Sequence, residues 1–328
     1  MDLKAFVVDQ AREPLGAVEL LSLDELEGDV TIEVAWSGVN FKDAMVTLAN
    51  NRVARRSRLV VGVDLAGKVV DPGTSAFKVG DDVLAHAYGL GVSHHGGFAT
   101  MAKVPTNWVV QLPAGLDARS AMAVGTAGFT AAASLERLEL EGLTPADGPV
   151  LVTGATGGVG SWAVALLAAR GYEVVASSGK AAAEEHLVAL GAARVIGRDE
   201  IDDRPERVLG SERWAGAIDC VGGATLASIL RSLRYGAAVA ASGLTAGPAL
   251  ETTVYPFITR HVALLGVDAV EMALADRQSI WDRLAPMLSP GLIDRIVAST
   301  VGLEELAEAL ANTTASSVIG RVLVDPHR

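Results

Sequence analysis

The stretch Pro149–Gly160 reads Pro-Val-Leu-Val-Thr-Gly-Ala-Thr-Gly-Gly-Val-Gly, and its residue types are those that hold a phosphate. Val150-Leu151-Val152 is a short apolar run of the kind a buried strand requires, and Ser161–Arg170 resumes as an apolar helix. Glycines between them let the backbone turn tightly and approach a pyrophosphate, whose charge then rests on the unpaired N–H groups of the helix N-terminus. Thr156, Gly157, Gly158, Val159 and Gly160 are therefore candidate dinucleotide-binding residues. Without a flanking strand and helix the same glycines mark only a tight turn.

The next strand distinguishes between dinucleotides. Sites for NAD commonly carry Asp or Glu about 20 residues after the glycines, on the ribose 2′-hydroxyl. Here Gly171–Ala176 runs into Ser177-Ser178-Gly179-Lys180, with two hydroxyls and a cation in that place. A carboxylate there repels a 2′-phosphate, whereas Ser177, Ser178 and Lys180 bind one, so the expected cofactor is NADP(H). Arg198, after the third strand-like segment, is placed to stack on the adenine or reach the same phosphate. As surface charges, Lys180 and Arg198 have no such role.

These groups need a framework, and the chain is long enough to provide it. Half of its 328 residues are hydrophobic, which suffices for two cores. A net charge of −12 argues against nucleic acid or an anionic membrane as partner. The N-terminal residues begin directly as a strand, without a signal-peptide pattern, and no apolar run is long enough to span a bilayer. The lone Cys220 leaves no internal disulfide framework and no multi-cysteine zinc site, which suits a reducing cytoplasm.

Residues 1–120 are β-rich, with strand-like segments at Lys4–Val8, Asp29–Ser37, Gly67–Val70, Asp82–Ala85 and Trp108–Gln111 separated by turn signals. A βαβ series follows over 121–267, with strands expected at Val150–Thr153, Glu173–Ala176, Arg194–Ile196, Gly216–Cys220, Ala237–Ser242 and Ala263–Val267. Two helical stretches, Ser279–Leu288 and Leu303–Ala311, precede a strand at Gly320–Val324 that is expected to return to the first domain. A nucleotide domain inserted into a β domain leaves a cleft, where ligands tend to bind.

Several segments together resemble the medium-chain dehydrogenase/reductase superfamily, in the zinc-free quinone oxidoreductase-like branch that contains the acrylyl-CoA reductases. They are Asn40-Phe41-Lys42-Asp43-Ala44, Gly62–Gly67, Ala121–Thr130, Thr153–Gly160, Trp214–Asp219, Leu233–Gly236, Thr252–Ile258 and Gly320-Arg321-Val322. The resemblance implies an α/β fold: a GroES-like β-rich catalytic domain over 1–120, completed by 268–328, and a Rossmann doubly wound parallel sheet over 121–267. Zinc alcohol dehydrogenases of this superfamily place a Cys and a His-Glu pair where this chain has Ser37–Asn40 and Gly62-Val63-Asp64. With those ligands missing, and with His94 and His95 adjacent in a Gly-rich loop, no zinc is expected.

Chemistry then falls to the cofactor, and a hydride donor without a Lewis acid favours an activated acceptor, such as an α,β-unsaturated thioester or a quinone. Hydride at the β-carbon of an enoyl thioester makes an enolate whose oxyanion needs donors. By resemblance, Asn40 lines the pocket and its amide holds the ribose or the thioester oxygen; the alternative is a helix cap. Phe41 replaces the family's Tyr and can stack on nicotinamide but cannot give a proton. Tyr88 is either a substitute donor or an aromatic wall, and the wall, with solvent as proton source, is favoured. Asp43 and Asp64 are expected to hydrogen-bond loop backbone.

Asn51–Arg58 is the most basic run in an acidic chain. Arg52, Arg55, Arg56 and Arg58 suit the phosphates of a CoA ester, which a quinone lacks; a solvated loop is the alternative. The resemblance adds Thr126, Gly222, Ser242, Gly243, Leu244, Val267, Asn312 and Arg321 to the cofactor side. It implies a homodimer through the edge of the Rossmann sheet, since an exposed strand edge wants a cover. The expected activity is NADPH-dependent reduction of the C=C bond of an enoyl-CoA of the acrylyl-CoA type. NADPH:quinone reduction and NADPH binding without turnover are the alternatives.

Overall fold

Runs of Val, Ile and Ala bounded by glycine turns form the strands of a computed structural model that describes residues 2–202 and 206–328. The chain divides into two units, Met1–Thr126 with Ala269–Arg328, and Ala127–Asp268. The passages between them fall after Thr126 and after Asp268.

In the second unit six strands pair in parallel in the order Arg194–Ile196, Val174–Ser177, Val150–Val152, Trp214–Asp219, Leu233–Ala241, Ala263–Gly266. This is the doubly wound order, in which the direction of winding reverses beside the first strand and opens a crevice at the carboxyl ends. Leu151, Val175, Ile196, Ala217 and Val239 come from five of these strands and form one buried cluster with Leu226, Ile229 and Leu230 of the helix Gly223–Ser232. The helix Gly158–Ala169 that follows the glycine turn is buried over Gly160–Leu167, which is why its sequence is apolar on every side.

The first unit is antiparallel for the most part. Val30–Gly38 is central, pairing with Asp64–Asp71, Met101–Val104 and the returning strand Arg321–Val324. Val30, Ile32 and Val34 alternate into a core with Leu65, Val69, Val83 and Ala85. Arg58–Val60 pairs with Asp2–Asp9, which also pairs with Gly16–Ser22. The sequence reading did not include the strands Gly16–Ser22, Arg58–Val60, Met101–Val104 and Val297–Val301 or the helix Pro290–Ile296. No helix among the described residues is long and apolar enough to cross a membrane.

Candidate functional site

Each unit carries one constellation of polar residues. In the parallel-sheet unit the strand Val150–Val152 ends at Thr153, and Gly154 turns the chain with φ 59. Gly160 packs so closely on the turn that a Cβ would collide with the Gly154 carbonyl and lie 2.6 Å from the Ala155 Cα. Gly157 flanks the helix, and the nearest atom to a Cβ there is the Gly154 oxygen at 3.4 Å. The turn therefore brings bare backbone N–H groups to a helix start, a cradle that fits a pyrophosphate. Thr156 is buried within it, and Gly158 and Val159 open the helix.

Across the neighbouring strand end, Ser177 is buried and Ser178 Oγ accepts the Lys180 N–H at 3.0 Å, shaping a tight loop. Arg198 lies against this loop: a Cβ on Gly179 would stand 3.0 Å from its guanidinium carbon. Partial burial lowers the Lys180 pKa from the usual lysine value. The loop that follows Val174–Ser177 thus carries Ser177, Ser178 and Lys180 and no carboxylate, with the Arg198 guanidinium against it, a set of residues that fits a phosphate. On the other flank, Asp219 accepts from Thr153 Oγ1 at 2.5 Å and from the Gly222 amide at 2.8 Å, fixing the turn at Gly222. Gly243 backs onto Cys220, and burial pushes the Cys220 thiol up to about 12, so it stays protonated. Ser242 donates its amide to the Asp219 carbonyl, Leu244 is exposed, and Val267 follows the edge strand.

The N-terminal unit holds a buried ionic network. Asp64 is fully buried and accepts from four donors: Asn40 Nδ2 at 2.8 Å, Thr126 N at 3.0 Å to one oxygen and 3.1 Å to the other, Thr126 Oγ1 at 2.6 Å and Arg321 Nη2 at 3.1 Å, the N–H of Thr126 being shared between the two oxygens. Arg321 is itself buried and also donates to Asn40 Oδ1 at 2.9 Å and to the Val39, Met122 and Ala123 carbonyls. Burial lowers the Arg321 pKa, against the opposing pull of Asp64 and Asp43.

This network corrects three expectations. Arg321 is enclosed in its own unit with its donors committed, so it does not close over a cofactor. Asn40 spends both amide hydrogens on Gly38 O and Asp64, and its oxygen on Arg321, so the amide is not free to hold a substrate oxygen. The cap of the helix Phe41–Val46 is made by Asp43, whose carboxylate accepts the Asn40 amide at 2.8 Å. Asp64 bonds three side chains in addition to backbone. Asp43 does bond backbone, through Asn40 and Val63; burial, then the Asp64 charge, raises its pKa to about 7.

Phe41 is exposed at the helix start. The Tyr88 hydroxyl donates to the Met272 carbonyl at 2.8 Å and its ring stacks on Trp108. Asn312 lies exposed on Leu306–Thr314, a helix that packs on Phe41–Val46. Of the basic run, Arg56 pairs with Glu27 and Arg58 with Glu19 and Glu25. Arg52 and Arg55 are exposed and have no ion-pair partner among the described residues. The sequence reading missed His86, Arg277 and Trp281, which are buried next to Thr126: Trp281 Nε1 donates to His86 Nε2 at 3.0 Å. A histidine at the end of the apolar strand Asp82–His86 is the signal that pointed there.

His94 Nδ1 lies 2.8 Å from the His95 carbonyl, and His95 Nδ1 accepts the Val60 amide at 3.0 Å. Among the described residues no group of three or more His, Cys, Asp or Glu side chains could hold a metal ion. Burial, helped by Arg56 and His94, pushes His95 down from 6.5 to about 4. The folded state thus binds fewer protons than the unfolded one in that interval, so this stability is complete above about pH 6.5 and is lost as the pH falls towards 4. The urea midpoint is expected to fall further over that window in the wild type than in His95→Gln, whose amide oxygen keeps the Val60 bond without titrating. Parallel curves would contradict the assignment.

A family model described as "Alcohol dehydrogenase GroES-like domain" matches residues 26–114, and one described as "Zinc-binding dehydrogenase" matches residues 158–288. The chain belongs to the medium-chain dehydrogenase/reductase superfamily of oxidoreductases, in its quinone oxidoreductase-like and acrylyl-CoA reductase branch. It is 46% identical over 308 residues to the putative quinone oxidoreductase YhfP of Bacillus subtilis, covering 94% of this chain and 93% of that one. A solved structure of that protein with NAD bound aligns with a TM-score of 0.95 over 99% of each chain. Acrylyl-CoA reductase AcuI of Ruegeria pomeroyi is 44% identical over 325 residues, 98% of both chains. The yhdH oxidoreductase of Salmonella enterica, solved in complex with NADP, is 42% identical with a TM-score of 0.94 over 99% of each chain.

Proposed function

We propose that this chain is an NADPH-dependent reductase of the C=C bond of a short α,β-unsaturated acyl-CoA, placing hydride on the β-carbon. The observation that carries the cofactor assignment is Arg198 lying across Gly179 beside Ser177, Ser178 and Lys180. Thr156–Gly160 would hold the pyrophosphate, and Gly222, Ser242, Gly243 and Leu244 line the strand ends on the nicotinamide side. The bound cofactor supplies the hydride. With the Tyr88 hydroxyl committed to Met272 and Phe41 in place of a tyrosine, the α-carbon takes its proton from solvent. The reaction is read as metal-free because Ser37–Asn40 and Gly62–Asp64 offer no Cys and no His-Glu pair.

The acyl-CoA assignment is supported by the AcuI relative and by Arg52 and Arg55, which remain available for phosphate while Arg56 and Arg58 do not. Arg52→Ala/Arg55→Ala is expected to raise KM for an enoyl-CoA about tenfold or more, from the loss of charge-assisted contacts. Turnover of a simple quinone should be unchanged; equal loss for both would remove the CoA assignment. The YhfP relative supports the second reading, NADPH:quinone reduction. A homodimer through the edge strand Ala263–Gly266 is also proposed, since exposed Val254, Tyr255, Ile258 and Leu264 lie on and next to it.

A further inference from the structure

The chain leaves the N-terminal unit after Thr126 and re-enters it at Ala269. On the N-terminal side both passages end on one set of buried groups. At the first, Gly125 adopts φ 50 and ψ −158, a conformation open in practice to glycine alone. A Cβ there would collide with the Asp64 carboxylate. Thr126 then gives both its amide and its hydroxyl to that carboxylate.

At the second passage the Ala269 and Val270 carbonyls accept from Arg277 Nη2 at 3.0 and 3.2 Å. The Met272 carbonyl accepts from Tyr88, whose ring lies 4.2 Å from the Arg277 guanidinium carbon.

His86 stands between the two. It is directly opposite Asp64 in the paired strands Asp64–Asp71 and Asp82–His86, so the two side chains share a face. The indole of Trp281 donates to His86 Nε2, and burial, with Arg277 beside it, holds the ring neutral. Nδ1 of the same ring lies 3.5 Å from Thr126 Oγ1. Arg277 Nη1 donates to the His86 carbonyl at 3.2 Å and lies within 3.0 Å of both ring nitrogens.

We propose that His86 and Arg277 are positioning residues: one buried relay, Asp64–Thr126–His86–Arg277, holds the exit and return points of the chain in a single fixed arrangement. This inference goes beyond the proposed activity and does not depend on the substrate. It predicts that a change at the return point is felt at the exit point, through His86. A role confined to local packing would not produce that effect.

The test is native-state amide exchange on the full chain carrying Arg277→Met. The Thr126 amide, which donates to Asp64, is expected to exchange about tenfold faster, the scale of one lost hydrogen bond. The Val34 amide, which donates to the Thr100 carbonyl in the same unit, should keep its wild-type rate. If Arg277→Met does not fold, Tyr88→Phe carries the test: it frees the Met272 carbonyl without touching a charge, and Thr126 should again exchange faster while Val34 does not. An unchanged Thr126 rate, or Thr126 and Val34 rising together, would overturn the relay.

Discussion

Arg321→Met is expected to lower the unfolding free energy by about 3–5 kcal/mol, the usual consequence of leaving one member of a buried ion pair without the other. Arg321 and Asp64 are 2% and 0% exposed and lie 3.1 Å apart, so solvent cannot replace the missing partner. The guanidinium also serves the Val39, Met122 and Ala123 carbonyls and Asn40 Oδ1, which lose their donor in the variant. Adding Asp64→Asn removes the uncompensated charge and should recover part of the loss. Tryptophan fluorescence, to which Trp281 beside the network contributes with four other tryptophans, follows the denaturation curves. A loss below about 1 kcal/mol, the range of exposed pairs, would mean that the network does not hold this unit together.

The second large effect concerns the cofactor. Lys180→Ala/Arg198→Ala is expected to weaken NADPH binding by about 100-fold or more while changing NADH binding little, because in the proposed site each cation would add a charge-assisted contact to the 2′-phosphate, which NADH lacks. The comparison is direct by quenching or enhancement of nicotinamide fluorescence. Equal weakening of both cofactors would assign these residues to the shared part of the dinucleotide. The NAD-bound YhfP structure makes the NADH arm of this experiment as informative as the NADPH arm.

The parallel sheet was legible because its signals are local. Each strand is a short apolar run ending in glycines, and the expected strands differ from the observed ones by a few residues at their ends. The glycine turn was legible for the same reason: Gly154, Gly157 and Gly160 act within a few residues of one another. Gly16–Ser22 and Val297–Val301 were missed because neither is an uninterrupted apolar run: Glu19 breaks the first, and Ser299 and Thr300 break the second.

The role of Arg321 was not legible, and the reason is distance along the chain. Its carboxylate partner is 257 residues away, and only the fold brings the two together. Two clues were present in the sequence: an arginine opening the apolar strand Arg321–Val324, and an aspartate at the end of the apolar run Val60–Val63. A charge buried in apolar surroundings requires a countercharge. The same reasoning explains Asn40, whose amide looks free in sequence but is consumed by Asp64 and Arg321 in the structure. Arg56 and Arg58 looked like phosphate ligands because their acidic partners, Glu19, Glu25 and Glu27, lie on a hairpin and turn far back in the chain.

The most direct test of the central claim is the oxidation of reduced nicotinamide by the purified protein, followed with acrylyl-CoA and in parallel with a simple quinone, each with NADPH and with NADH. The account predicts rapid oxidation of NADPH by acrylyl-CoA, with NADH and the quinone far slower. Turnover of the quinone alone, or equal use of NADH, would contradict it.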